Sequence, residues 1–375
     1  MKIQKIEYQD QEYEWKIETL ELLPNLTLLV GGSGAGKTQI LQSIFKLKEI
    51  GNGESFNGVK WDICFLTENN VNYRWKGEFE TQKTDEPFLD QTNREEHEFD
   101  IVEEFLYRDD QPIIERNSEE IFFEGYGKTP KLSPSQSVIE LFQQEEDIEP
   151  AKKNLDKIIL SKPYKAIEKT DLVVLAISKT DEKYSLNDIQ NSDFSVPVKL
   201  LLAHRYLPEI FEEIKNNFIK IFPQAEDIRL QPFLDLLGSP LVSIEIKEKG
   251  VDHWISHADI SLGMRKTLIH LSELFLTPEG SVILIDEFEN SLGVNCIDSV
   301  TDLILENKNL QFIITSHHPY IINNISPEFW KIVFRKGGSI STKNPEEFHI
   351  SKSRQRAFID LINVLEDYYD TLEVE

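Results

Sequence analysis

An α/β fold is predicted by three apolar runs, each of which delivers a polar, chemistry-bearing segment at its C-terminal end. The first, Leu26 to Val30, runs into Gly31-Gly32-Ser33-Gly34-Ala35-Gly36-Lys37-Thr38. The second, Val282-Ile283-Leu284-Ile285, delivers Asp286-Glu287. The third, Phe312-Ile313-Ile314, delivers Thr315-Ser316-His317-His318-Pro319. Short, uninterrupted and rich in β-branched residues, the runs read as strands.

The first segment matches G-x-x-x-x-G-K-[ST] with the strand before it and the helix after it that this pattern requires. Ile40, Leu41, Ile44 and Phe45 fall on one helical face just beyond. Glycines let backbone N–H groups curl around a phosphate, and the helix N-terminus adds a favourable dipole. Lys37 is placed to reach the β- and γ-phosphates, and the Thr38 hydroxyl to reach Mg²⁺. Residues 31–38, with Gln39 following, are therefore the candidate nucleotide site, and ATP with Mg²⁺ the expected ligands.

Roughly 230 residues later, Ile260-Ser261-Leu262-Gly263-Met264-Arg265-Lys266 opens an amphipathic helix with Met264, Leu268, Leu271 and Phe275 on one side. Ser261 is a candidate N-cap, and Gly263 leaves N–H groups uncovered at a positive helix end. Singly, an S-x-G or an apolar run ending in Asp-Glu says little. In this order and spacing the four elements resemble the ABC-type ATPases: Walker A, an LSxGxxK-like signature, Walker B and a switch histidine. The resemblance implies that Asp286 holds Mg²⁺ with Thr38, that Glu287 orients and deprotonates the attacking water, and that His317 contacts the γ-phosphate. It implies that Ser261 and Gly263 close over the nucleotide of a second copy, so that a homodimer or higher homo-oligomer forms through an ATP sandwich. The activity implied is ATP hydrolysis, and the fold an ABC-type P-loop head, a mixed sheet core with helices.

The 375 residues suffice for one large or two small domains, and a hydrophobic content of 40% supports a proper core. Cys64 and Cys296 form no C-x-x-C motif or zinc cluster, and no apolar run is long enough to span a bilayer. A cytoplasmic protein without a membrane partner is expected. The net charge of −26 opposes a phosphate backbone at long range. Nucleic-acid binding would need a local basic face, for which Lys152, Lys153, Lys157, Lys162, Lys165 and Lys169 are the candidates, unless they simply form a solvated helix face. Residues 76–125 hold 17 acidic against 5 basic residues, yet Phe79, Phe88, Phe99, Phe105, Tyr107, Phe122 and Phe123 run through them, which argues for folded structure.

The expected organisation is a split head. Residues 1–75 form its N-terminal lobe with Walker A, and 76–220 an acidic, mainly helical insertion. Residues 221–350 form the C-terminal lobe with signature, Walker B and switch histidine, and 351–375 a terminal helix. Ile210, Phe211, Ile214 and Phe218 mark one helix of the insertion, and Leu241 to Ile246 a strand leading toward the signature. Heptads sustained enough for a long coiled coil are absent.

That absence narrows the resemblance to the compact members of the SMC, RecF and OLD-like group, the AAA_21 or AAA_15 type. Asp286-Glu287-Phe288-Glu289-Asn290-Ser291-Leu292-Gly293 is similar to that group's D-E-x-E-N-S-L-H segment, with Gly293 where histidine is usual. Leu132-Ser133-Pro134-Ser135-Gln136-Ser137 resembles its L-S-P-S-x-S segment. A Q-loop glutamine has no clear match, with Gln136 and Gln111 as candidates, and Tyr8, Tyr13 and Trp15 are candidates for stacking on adenine. Fewer than 60 residues follow His317, too few for the Toprim nuclease that continues OLD-type proteins. The resemblance therefore implies an ATPase of a phage-defence or DNA-repair complex that controls a separate effector, such as a nuclease. The alternative is a stand-alone RecF-like DNA clamp; a transporter subunit fits the long gap between Walker A and signature poorly.

Overall fold

The computed structural model describes residues 1–82, 98–161, 183–234, 240–290 and 292–374. The chain forms two compact units, one of Met1–Ser161, Gly280–Glu287 and Lys308–Glu375, the other of Lys162–Glu279 and Phe288–Asn307. Head-type structure in the first unit thus runs on to Ser161, well past residue 75, where the sequence reading ends the N-terminal lobe.

In chain order the first unit begins with β1 (Lys2–Asp10), β2 (Trp15–Glu21), β3 (Leu26–Val30), α1 (Lys37–Gly51), β4 (Val59–Leu66) and β5 (Asn72–Phe79). It continues with β6 (Ile101–Arg108), β7 (Gln111–Asn117), β8 (Ile121–Phe123), β9 (Gly127–Lys128), α2 (Val138–Leu141), α3 (Glu149–Asp156) and β10 (Ile158–Ser161). The second unit contributes α4 (Leu186–Gln190), α5 (Val196–Tyr206), α6 (Pro208–Ile221), β11 (Ala225–Leu234), β12 (Pro240–Glu248), β13 (Trp254–Ile255) and α7 (Leu262–Leu276). After β14 (Val282–Ile285) of the first unit comes α8 (Val294–Glu306) of the second. The first unit closes with β15 (Gln311–Thr315), α9 (Pro319–Asn324), β16 (Trp330–Lys336), β17 (Ser339–Lys343) and α10 (Arg354–Val374).

One 14-stranded sheet organises the first unit, in the order β10-β14-β15-β3-β16-β17-β2-β1-β4-β5-β6-β7-β8-β9. From β10 to β16 neighbouring strands are parallel. All residues of β3, β14 and β15 are buried, which is why each reads as an unbroken apolar run. From β2 outward to β9 the pairing is antiparallel. There the side chains alternate: Val59, Trp61, Ile63 and Phe65 of β4 face the core while Lys60 and Asp62 face outward. The aromatic centre is tight, with Trp61 on Trp75 at 5.1 Å and Phe65 stacked on Tyr73 at 5.7 Å. Helix α1 turns Ile40, Leu41, Ile44 and Leu47 into this core, and Phe45 packs at its margin.

Residues 101–128, which the sequence reading assigns to a mainly helical insertion, form strands β6 to β9 instead. Their period-2 pattern is masked because two inward positions carry charge: Glu104 of β6 and Arg116 of β7 are cross-strand partners, both buried. The helices expected in the insertion occur later, in the second unit. There α6 buries Phe211, Ile214 and Phe218, with α5 and α7 packed against it and a three-stranded sheet β11-β12-β13 alongside. The strand expected at Leu241 to Ile246 is the middle of β12.

The acidic stretch 83–97 and the lysines at 162, 165 and 169 lie outside the described residues. Lys152, Lys153 and Lys157 do not form a basic face. Lys152 is buried and bound to Asn52 at 2.6 Å and Asp156 at 3.0 Å, Lys153 pairs with Glu149 at 2.7 Å, and Lys157 pairs with Glu68. Among the described residues no helix is long and apolar enough to cross a membrane.

Candidate functional site

The parallel register brings the chemistry-bearing segments to one edge of the sheet. Thr315 pairs with Leu29 and Ile314 with Ile285, so Gly31, Asp286 and Ser316 leave adjacent strands at the same end. Ligands of parallel α/β sheets bind at such C-terminal strand ends.

The phosphate loop is shaped by backbone freedom. Gly36, the N-cap of α1, has φ 102°, and a side chain there would meet Ile340 of β17 at 2.5 Å, so only glycine fits. No side chain caps α1, and its first turn carries no acid, so the helix presents a positive dipole end that favours an anion. Lys37 folds back over the loop, donating from Nζ to the carbonyls of Gly31 and Gly32, both at 2.9 Å. Gln39 accepts from Arg335 Nη1 at 2.8 Å, which brings a guanidinium from β16 beside the first turn of α1.

Asp286 connects the strand ends. Its Oδ2 accepts from the Thr38 hydroxyl at 2.9 Å and its Oδ1 from the Thr315 hydroxyl at 2.6 Å. The Thr315 oxygen also accepts from the Glu287 backbone N–H at 2.8 Å. Thr315 thus fixes both acidic residues, a role the sequence reading misses although the residue stands in the quoted Thr-Ser-His-His-Pro segment. Hydroxyl and carboxylate oxygens so placed suit Mg²⁺, a hard cation that takes few protein ligands besides water and phosphate. Glu287 is exposed and holds φ 47°, a left-handed conformation that costs about 1 kcal/mol or more and that clusters at functional sites. Of the two histidines, His318 caps α9, its Nδ1 accepting from Tyr320 N at 3.2 Å, whereas His317 is exposed beyond the end of β15.

The signature residues belong to the second unit. Ser261 caps α7, accepting from Met264 N at 3.2 Å, and the Gly263 carbonyl accepts from the Thr267 hydroxyl at 2.8 Å. Lys266 donates from Nζ to the Asn290 carbonyl, tying the start of α7 to the segment that follows Glu287. Gly293, in the place where histidine is usual, is the N-cap of α8.

Neither candidate Q-loop glutamine reaches the phosphate loop. Gln136 lies beside Gly53, beyond the far end of α1, and 15 residues of helix put it about 22 Å from Lys37. Gln111 opens β7, eight places from β3 in the strand order of the sheet. Tyr8 is a core residue, buried to 2% exposure with Trp15 stacked on it at 5.4 Å, so it cannot meet a base. Tyr13 stays exposed at the β1–β2 turn.

A phosphate loop, two acidic residues and a histidine at the ends of adjacent parallel strands define an ABC-type P-loop ATPase with the fold of an SMC head. The chain belongs to the AAA_21 family, described as "AAA domain, putative AbiEii toxin, Type IV TA system", whose profile matches residues 26–323. No curated protein matches it in sequence. Among solved structures, an Smc head bound to the C-winged helix domain of ScpA superposes with a TM-score of 0.50 at 14% identity, covering 92% of this chain and 97% of that one. An Smc head with an extended coiled coil, bound to the C-terminal domain of ScpA derived from Pyrococcus furiosus, gives a TM-score of 0.46 at 14% identity, covering 98% and 99%.

Proposed function

We propose that this chain binds and hydrolyses ATP, pairs with a second copy when ATP is bound, and through that pairing controls a separate effector in a cytoplasmic phage-defence or DNA-repair complex. The observation that carries the reading is the convergence on Asp286: Thr38 from the phosphate loop and Thr315 from β15 grip its two oxygens, and Thr315 also anchors Glu287.

Phosphoryl transfer is mainly positioning and charge neutralisation. Lys37 and the N-terminus of α1 hold and neutralise the phosphates. Thr38 and Asp286 would hold Mg²⁺, which when bound would neutralise phosphate charge. Glu287, held outward by its backbone, orients the attacking water and accepts its proton. His317 contacts the γ-phosphate and stabilises charge on it. Ser261 and Gly263 act on the nucleotide of the partner copy, where the start of α7 presents N–H groups to the γ-phosphate.

Control of a separate effector rests on the resemblance to OLD-type proteins; the family description, which names a putative AbiEii toxin of a Type IV TA system, fits a role in a defence system. The effector is taken to be a nuclease by the resemblance to OLD-type proteins. The test is affinity capture of Glu287→Gln with ATP from the native host, alongside turnover by Ser261→Arg. A stoichiometric effector together with loss of turnover in Ser261→Arg supports the reading. Duplex DNA without a protein partner replaces it with a RecF-like clamp, and normal turnover in Ser261→Arg removes the paired site.

A further inference from the structure

Helix α10 touches the phosphate loop through Tyr369. The Tyr369 hydroxyl occupies the space beside Gly32 where a side chain would begin, with ring atoms at 2.8 and 3.0 Å from that position. The contact is anchored nearby: Tyr368 packs on Phe334 of β16 at 4.6 Å, and the carbonyl of the preceding Val333 lies against Gly31. Strand end, loop and helix therefore form one layered contact at the candidate nucleotide site.

Two properties of the helix oppose a bound nucleotide. Residues 366–375 carry five carboxylates and no basic residue. Of these, Glu366, Asp367 and Asp370 are exposed within one turn of Tyr369, the residue that meets the loop. A polyphosphate in the loop would meet like charge from the carboxylates of α10. The helix is also shallowly seated: among its described side chains only Ala357 and Leu361 are buried, while Ile359 is 59% exposed and Ile362 37%. Few apolar contacts mean a low free energy of local release.

We propose that α10 is a detachable acidic strap on the Walker A loop, which ATP must displace and which therefore sets the threshold for nucleotide binding. Tyr369 holds the strap in place by contact with Gly32, and the carboxylates beside it make the strap and ATP mutually exclusive. This inference rests on the reading of residues 31–38 as the ATP site.

The test is titration of the full chain with MgATP by calorimetry, comparing wild type, Tyr369→Ala, the triple variant Glu366→Gln/Asp367→Asn/Asp370→Asn, and Lys37→Ala. Both strap variants should bind about three- to tenfold more tightly than wild type, the triple variant losing its advantage at high salt as screening sets in. Adding ATP to Glu287→Gln should raise amide exchange across residues 362–374. Equal or weaker affinity in the strap variants, or unchanged exchange, overturns the strap. If wild type and strap variants bind equally and Lys37→Ala does not bind, the ATP site stands and the strap alone fails. If none binds, the ATP site itself is wrong.

Discussion

The strand-end site and the buried clasp under the antiparallel half of the same sheet handle charge in opposite ways. At the strand ends Thr38 and Glu287 are exposed and Lys37 and Asp286 half-buried, and the local backbone positions them. In the clasp Glu104 is fully buried. It accepts from Trp75 Nε1 at 2.8 Å, from Val138 N at 2.9 Å and from Arg116 Nη1 at 3.4 Å. Arg116 in turn donates to the carbonyls of Ser133, Pro134 and Gln136, at 3.0, 2.7 and 2.6 Å. One region leaves its charged groups partly in solvent; the other consumes them in holding the Leu132 to Ser137 segment against β6 and β7. The same residue types thus serve chemistry or architecture according to solvation.

If that division is right, substitutions in the two regions should separate binding from stability. The largest effect belongs to Lys37→Ala, which should abolish ATP binding, about 100-fold or more, while the melting temperature moves by only about 2 °C. Retained affinity in a nucleotide titration would remove the Walker A assignment. Glu104→Ala should do the reverse. It strands Arg116 without its partner and should cost about 3–5 kcal/mol in urea unfolding, with ATP affinity of the folded fraction unchanged. A loss below about 1 kcal/mol would mean that Arg116 is held by the three carbonyls alone. Glu287→Gln comes next, slowing turnover on the order of 100-fold with normal ATP affinity and stability. Wild-type turnover would assign the base elsewhere.

The two regions also differ in how far the sequence reveals them. Residues 31–38 are contiguous, and the backbone freedom of the glycines and the side-chain chemistry of Lys37 and Thr38 follow from their own types, so the segment is legible as a string. Asp286, Glu287 and His317 become legible because each follows an apolar run. Thr315 and Arg335 escape because their partners, Asp286 and Gln39, are distant in sequence. The clasp escapes more completely: Trp75, Glu104, Arg116 and Val138 meet only after three strands have paired and α2 has packed against them. Its charged inward residues also break the alternation that would have revealed β6 and β7 as strands. Long-range polar packing leaves a misleading local pattern, and residues 101–128 are misjudged for that reason. In α10 the helix is legible from periodicity, but its placement over Gly32 is not, because nothing local links residue 369 to residue 32.

The smallest effect separates a clasp that is an ordinary ion pair from one shaped by burial. Burial pushes the Glu104 carboxyl from 4.5 up to about 7, against the opposing pull of Arg116 and the donated hydrogen bonds. Between those values the folded protein holds a proton that the unfolded chain releases. The resulting stabilisation is complete below about 4.5 and is lost as pH rises through about 7. Unfolding free energy of wild type, relative to Glu104→Gln, should therefore fall by roughly 1 kcal/mol per pH unit between about pH 5 and pH 7. Glutamine keeps the shape of the carboxyl group and does not titrate, so the difference between the two profiles isolates this residue. A difference that stays constant across the range would mean that Glu104 remains ionised throughout. The clasp would then be held by Coulomb attraction to Arg116, and the contrast with the strand ends would reduce to one of exposure.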